Sequence, residues 1–186
     1  MDKLSYYRNK IITGEKVFLK KIKKNNLNTC IKWLEDPEVN KFLSQSIKNV
    51  NHLQELEWYR SIRNSEEDLV FTINTKTDSV YIGNCGLHKI NLEKKYCEFG
   101  IFIGNRAYWN KGFGTDAIMT VLNFATEVLG INSINLVVYE YNHRAISTYE
   151  KCGFVRTGTL EKYHLYNNVC WDAYLMEYKK ALNGMK

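Results

Sequence analysis

A glycine turn between a strand pattern and a helix pattern constrains this chain most: WNKGFGTDA, from Trp109 to Ala117. The apolar run EFGIFIG (Glu98 to Gly104) precedes it. Apolar residues at helical spacing follow it, namely Ala117, Ile118, Val121, Leu122, Ala125 and Leu129, with Gly130 as the stop signal. Glycines at 112 and 114 let the backbone turn with its N–H groups outward just where a helix of about Thr115 to Leu129 begins. The positive end of the helix dipole lies at the same place, so the turn suits a phosphate group. The expectation is a phosphorylated cofactor.

Composition sets the outer limits. The 186 residues, 45% of them hydrophobic, are enough for one domain with its own core, expected over residues 14 to 180. The formal charge of +6 is modest and the lysines are spread out, with one short cluster at Lys20, Lys21, Lys23 and Lys24. That gives a nucleic-acid reading little support, and a polyanionic cofactor suits the sign equally well. Cys30, Cys85, Cys97, Cys152 and Cys170 form no C-x-x-C pair, so they read as reduced thiols and no metal site is expected. The start, MDKLSYYRNK, has no apolar leader pattern. No run approaches the roughly 20 apolar residues that span a bilayer, so no membrane partner is expected and the cytoplasm is the expected compartment.

Val17 to Ile22 reads as a first strand, followed by a helix pattern through Leu27, Ile31 and Leu34 that stops near Asp36-Pro37. A second helix is expected from about Val50 to Ile62, capped by Asn49 or Asn51. The period then changes to short β-branched and aromatic runs, DLVFTIN, VYIGNCGLHKIN and KYCEFGIFIG, which read as an antiparallel meander. After the glycine turn and its helix, INSINLVVYEYN supplies a strand, and Asn142 caps a short helix ending at Gly153. FVRTGTLEKYHLY and VCWDAYLMEY flank Asn167-Asn168 as a closing hairpin.

This order resembles the GNAT superfamily of acetyl-CoA-dependent N-acetyltransferases. YWNKGFGTDA is similar to the superfamily's pyrophosphate loop, and NHRAISTYEKCGF (Asn142 to Phe154) to its second cofactor motif. WLEDPEV (Trp33 to Val39), EFGIFIG and YWNKGFGTDA together resemble the branch of ribosomal-protein N-terminal acetyltransferases called Rim enzymes. The superfamily loop usually opens with Gln or Arg where this chain has Trp109, and a Trp is usual in that branch. The resemblance implies an α+β fold with a mixed, mostly antiparallel sheet of about seven strands and about four flanking helices. It also implies acetyl-CoA as co-substrate, with direct attack by an amine.

Backbone amides around Asn110, Lys111, Gly112, Phe113, Gly114 and Thr115 would then hold the pyrophosphate, with Lys111 adding charge. The preceding strand would meet the pantetheine arm at Phe102, Ile103 and Gly104, and Asn142 would lie against it. Tyr149, in the place of the superfamily's tyrosine, would protonate the departing thiolate. A primary amine with pKa near ~10 must lose a proton at a cost of about 4 kcal/mol at pH 7, and Glu98 is the candidate base. As residues alone, Tyr149 also fits an apolar helix face, Asn142 a plain N-cap and Glu98 a surface carboxylate. His88, His143 and His164 read as structural or solvent-facing.

Two other classes compete. Gly112-x-Gly114-x-x-Ala117 with Glu140 also fits a dinucleotide fingerprint, which would make the chain an NAD-dependent oxidoreductase. The stretch Asn105 to Lys111 between strand and glycine, and a lone strand-helix-strand unit, argue against it. A non-catalytic CoA-binding or interaction module is the other. The acceptor is open between a protein N-terminus and a small-molecule amine or amino sugar. Acidic residues including Glu35, Glu55, Glu57 and Asp68 could attract a polyamine, an aminoglycoside or a basic peptide, or form a solvated face. Trp58, Tyr59, Tyr163, Tyr166 and Trp171 could line a pocket, pack the core or meet a second copy in a homodimer.

Overall fold

The computed structural model describes residues 4–43 and 51–180. One eight-stranded sheet organises them, in the order β1-β2-β3-β4-β5-β6-β8-β7. The strands are β1 (Ile12–Thr13), β2 (Val17–Lys21), β3 (Leu69–Thr75), β4 (Tyr81–Asn91), β5 (Tyr96–Ile103), β6 (Ser133–Tyr139), β7 (Val155–Tyr166) and β8 (Val169–Lys179). The count exceeds the expected seven because the lead-in folds back, pairing Ile12 with Leu19 and Thr13 with Phe18. Two residues carry no period-2 pattern to read. The meander β3 to β5 and the closing hairpin are as expected, the latter turning on Asn167 and Asn168 at φ 51 and 61, and β2 extends the meander by pairing antiparallel with β3.

Helices cover both faces: α1 (Ser5–Arg8), α2 (Leu27–Glu35), α3 (Pro37–Asn40), α4 (His52–Asn64), α5 (Phe113–Asn123) and α6 (His143–Lys151). Asp36 and Pro37 end α2 as expected, but the same pair starts α3, because Asp36 accepts from the Glu38 N–H and proline is at home in a first helical turn. Helix α4 starts later than expected, on a capping box between Asn51 and Gln54, while Asn49 and Val50 lie outside the described residues. Helix α5 begins at Phe113 and passes into a π-helical turn, Phe124–Val128, before Gly130 at φ 70.

The main core lies between the sheet and α5. Leu69, Phe71 and Ile73 of β3 and Cys85 and Leu87 of β4 alternate inward against Ile118, Val121 and Leu122, all at most 2% exposed. Burial of such side chains contributes about 1.5–3 kcal/mol each, so this layer holds α5 firmly. Its first turn is also clamped, since the Asp116 carboxylate accepts backbone N–H groups of Glu15, Lys16 and Val17 at 3.0, 2.8 and 2.9 Å. On the opposite face a smaller cluster of Ile22, Leu27, Tyr59 and Ile62 seats α2 and α4 over Val70.

Candidate active site

Strands β5 and β6 run parallel but share partners only over Tyr96–Ser133, Cys97–Ile134 and Glu98–Asn135. Beyond these, β5 stays with β4 as far as Ile103 and β6 stays with β8 as far as Tyr139, so the two strands separate. A cleft of about 670 Å³ opens there. Its walls include Phe99 to Ile103 from β5, Val137 and Val138 from β6, the glycine turn, Asn142 and Tyr149, and residues of α2 and α4. One passage therefore joins the turn to the helical face opposite α5.

At the turn, Asn110 and Gly112 adopt left-handed backbone, φ 57 and 82. Gly112 caps α5 without a side-chain hydrogen bond, so the first-turn N–H groups are left to an anion at the positive helix end. Gly112, Gly114 and Thr115 line the cleft with Asn110. Lys16, which the sequence did not point to, reaches the turn by donating from Nζ to the Lys111 carbonyl at 3.1 Å. Trp109 has a structural reason: its indole N–H donates to the Ile103 carbonyl at 2.7 Å, closing the end of β5, and Arg144 lies over its ring at 3.8 Å.

Midway, Tyr149 is 8% exposed on the inner face of α6, packed on Phe154. Burial, with a smaller push from neighbouring Cys152, raises its pKa above the usual phenol value, so it stays protonated at neutral pH. Asn142 is buried at the start of α6, where its Oδ1 accepts from the Ala145 N–H at 3.3 Å, so it is the expected cap and also a cleft wall.

At the far end Glu55 of α4 is only 4% exposed. Among the described residues no cation pairs with it. Its hydrogen-bond partner is Cys30, which accepts from Asn84 Nδ2 at 3.5 Å, and Asn84 Oδ1 accepts from the Tyr81 hydroxyl at 2.9 Å. Desolvation raises the Glu55 pKa, opposed in part by the Cys30 contact. Trp58, Val70 and His88 complete this end. In sequence Glu55 is one acid among several, and only its place under α2 marks it out.

Four expected site residues are not among those lining the cleft. Glu98 does not line the cleft: it is ion-paired with Lys89 at 2.9 Å and receives the Tyr96 hydroxyl at 3.4 Å, because Lys89, itself at φ 50, swings across from the irregular end of β4. Gly104 is buried beneath the indole of Trp33, where a Cβ would come within 2.1 Å of the ring, so its missing side chain serves packing. Lys111 is exposed, and Phe113 packs on Tyr108, ring centroids 5.2 Å apart. Phe102, Ile103, Asn110, Gly112, Gly114, Thr115, Asn142 and Tyr149 do meet in the cleft. Of the histidines, His164 is buried against Tyr139, His143 is exposed, and His88 joins the cleft.

Proteins similar to this chain include acetyltransferases. An uncharacterized N-acetyltransferase, p20, of Bacillus licheniformis is 25% identical over 173 residues, covering 89% of this chain and 94% of that protein. A spermidine N(1)-acetyltransferase of Vibrio cholerae is 29% identical over 136 residues, 73% of this chain and 71% of the relative. The crystal structure of spermidine N-acetyltransferase from Vibrio cholerae in complex with CoA and spermine superposes with a TM-score of 0.80 at 23% identity, over 88% of this chain and 95% of that one. A putative ribosomal-protein-serine acetyltransferase from Vibrio cholerae gives 0.72 at 14% identity, covering 93% and 99%; at that distance the likeness is one of fold, and the Rim branch is not set apart by it. The family model described as acetyltransferase (GNAT) domain matches residues 16–155, and the chain belongs to that family.

Proposed function

We propose that this acetyltransferase moves the acetyl group of acetyl-CoA to a primary amine of a small cationic acceptor, through one catalytic domain of about residues 14–180. The observation that carries the reading is the cleft between β5 and β6, with helix N–H groups at one end and a buried carboxyl at the other. The turn at Asn110 to Thr115 holds the cofactor's phosphates, assisted by Lys16. The separated edges of β5 and β6, with Asn142, hold its arm by backbone pairing, as a sheet edge accepts an added strand. The amine nitrogen attacks the thioester carbon, the carbon–sulfur bond breaks, and Tyr149 gives its proton to the leaving thiolate.

Glu55 supports a diamine or polyamine as acceptor. A carboxyl held out of water with no cation beside it among the described residues is costly to ionise, and an arriving ammonium would relieve that cost. Trp58 beside it offers an aromatic face to the same charge. The spermidine acetyltransferases similar to this chain agree with that class. Mass spectrometry of products from acetyl-CoA with polyamines, aminoglycosides and short peptides tests it. Acetylated polyamine is the expected product, whereas acetylation of peptides alone would refute the small-acceptor reading.

A further inference from the structure

We propose, building on the acetyltransferase reading above, that His88 is the general base of the reaction and that Asp68 positions it. The amine must lose a proton, and Glu98 is turned away to Lys89. His88 stands on the adjacent strand, opposite Glu98, and lines the cleft. Its Nδ1 is 2.9 Å from Asp68 Oδ1. A carboxylate accepts only, so Nδ1 carries a proton, and in the neutral ring Nε2 then keeps its lone pair. That nitrogen lies over the glycine floor of the cleft: a Cβ on Gly86 would stand 3.0 Å from it, and one on Gly100 3.8 Å. A Cβ at Gly86 would crowd the imidazole, whereas one at Gly100 would only touch it.

The local backbone is arranged around this pair. The β4–β5 register shifts between His88 and Asn91, with Lys89 at φ 50, the kind of irregularity that re-aims a side chain. On the other side, Asp68 Oδ2 accepts from Ser65 Oγ at 2.6 Å, Ser65 Oγ accepts from the Glu67 N–H at 3.1 Å, and the Glu67 carbonyl accepts from the Ile90 N–H at 2.9 Å. The turn from α4 into β3 is thereby tied to β4, and the carboxylate is held against the ring. In the reaction Nε2 takes a proton from the ammonium, which frees the nitrogen lone pair to attack the thioester carbon, and Asp68 steadies the imidazolium; as the carbon–sulfur bond breaks Tyr149 protonates the thiolate, and the second proton shed by the new amide nitrogen restores the phenol. The charged groups around the ring are Asp68 from β3's approach, the Glu98–Lys89 pair on β5 and β4, and Glu55 from α4.

The test compares wild type, His88→Gln and Asp68→Asn by the pH profile of kcat with a polyamine acceptor, by CoA affinity, and by the nitrogen resonances of the His88 imidazole. His88→Gln should lower kcat by about 10²- to 10⁴-fold and remove the acid limb of the profile, with CoA affinity unchanged. The wild-type ring should carry its proton on Nδ1, and Asp68→Asn should weaken that preference and lower kcat while the fold persists. Wild-type kcat and profile in His88→Gln, or a wild-type proton on Nε2, would overturn the proposal. A wild type that binds CoA but acetylates no amine, with the proton on Nδ1, would count against the acetyltransferase reading and leave the oriented imidazole supported.

Discussion

Replacing Gly114 by alanine should make the protein more stable and a poorer binder of CoA. Within the protein there is room for the new methyl group, since its nearest neighbour would be Ile103 Cγ1 at 3.8 Å, an ordinary contact. Gly114 is the second residue of α5, where alanine gains up to about 1 kcal/mol over glycine. For a chain of this size that is a rise of about 2–4 °C in Tm. The same carbon would stand in the cleft wall where the helix N–H groups meet the phosphate. Losing one hydrogen bond to a charged group costs about 1.5–3 kcal/mol, or roughly 10- to 150-fold in Kd. Titration calorimetry with CoA, beside thermal unfolding of the free protein, reads both signs. If Gly114→Ala binds CoA within about twofold of wild type, no phosphate approaches that backbone and the assignment of the turn is wrong.

Gly112→Val acts differently: at φ 82 a β-branched residue is strained by about 1–2 kcal/mol, so Tm and CoA affinity should fall together, and unchanged calorimetric binding would contradict the role of the turn. Tyr149→Phe should lower kcat by about 10²-fold or more while Tm and CoA affinity hold, and steady-state turnover equal to wild type would remove the proton-donor role. Glu55→Gln should raise the polyamine KM by about 10- to 150-fold, with an acceptor lacking a second ammonium unaffected. The raised pKa of Glu55 also sets a sign for stability: its contribution is whole below the unfolded carboxyl value of ~4.3 and is lost as pH rises through the folded value. Unfolding measured across that window without cofactor or amine should show wild type losing more stability with rising pH than Glu55→Gln, and parallel curves would count against it.

What the sequence revealed and what it hid follow from the range of the interactions involved. Gly112, Gly114 and the helix after them were legible because a left-handed turn and a helical period are local properties. The roles of Tyr149 and Asn142 came from resemblance to a motif, and the structure puts both in the cleft wall. The pairing of Glu98 with Lys89 was not legible because alternation gives a residue's face and not its cross-strand neighbours, and Lys89 reaches it only through an irregular strand end. Gly104 lies outside the cleft lining for a similar reason, since Trp33 from α2 covers it. The pairing of His88 with Asp68 joins β4 to the turn before β3, and the burial of Glu55 depends on how α2 lies over α4. Nothing in a single sequence marks either.

The measurement that tests the central claim most directly is a single turnover with acetyl-CoA already bound, following thiol release and the mass of the protein before and after adding spermidine. The account predicts no thiol until the amine arrives, then one equivalent of thiol and one of acetylated amine, with the protein's mass unchanged throughout. Thiol released before the amine with an acetyl group left on the protein would contradict direct transfer in the β5–β6 cleft, and so would a protein that takes up NAD and ignores CoA.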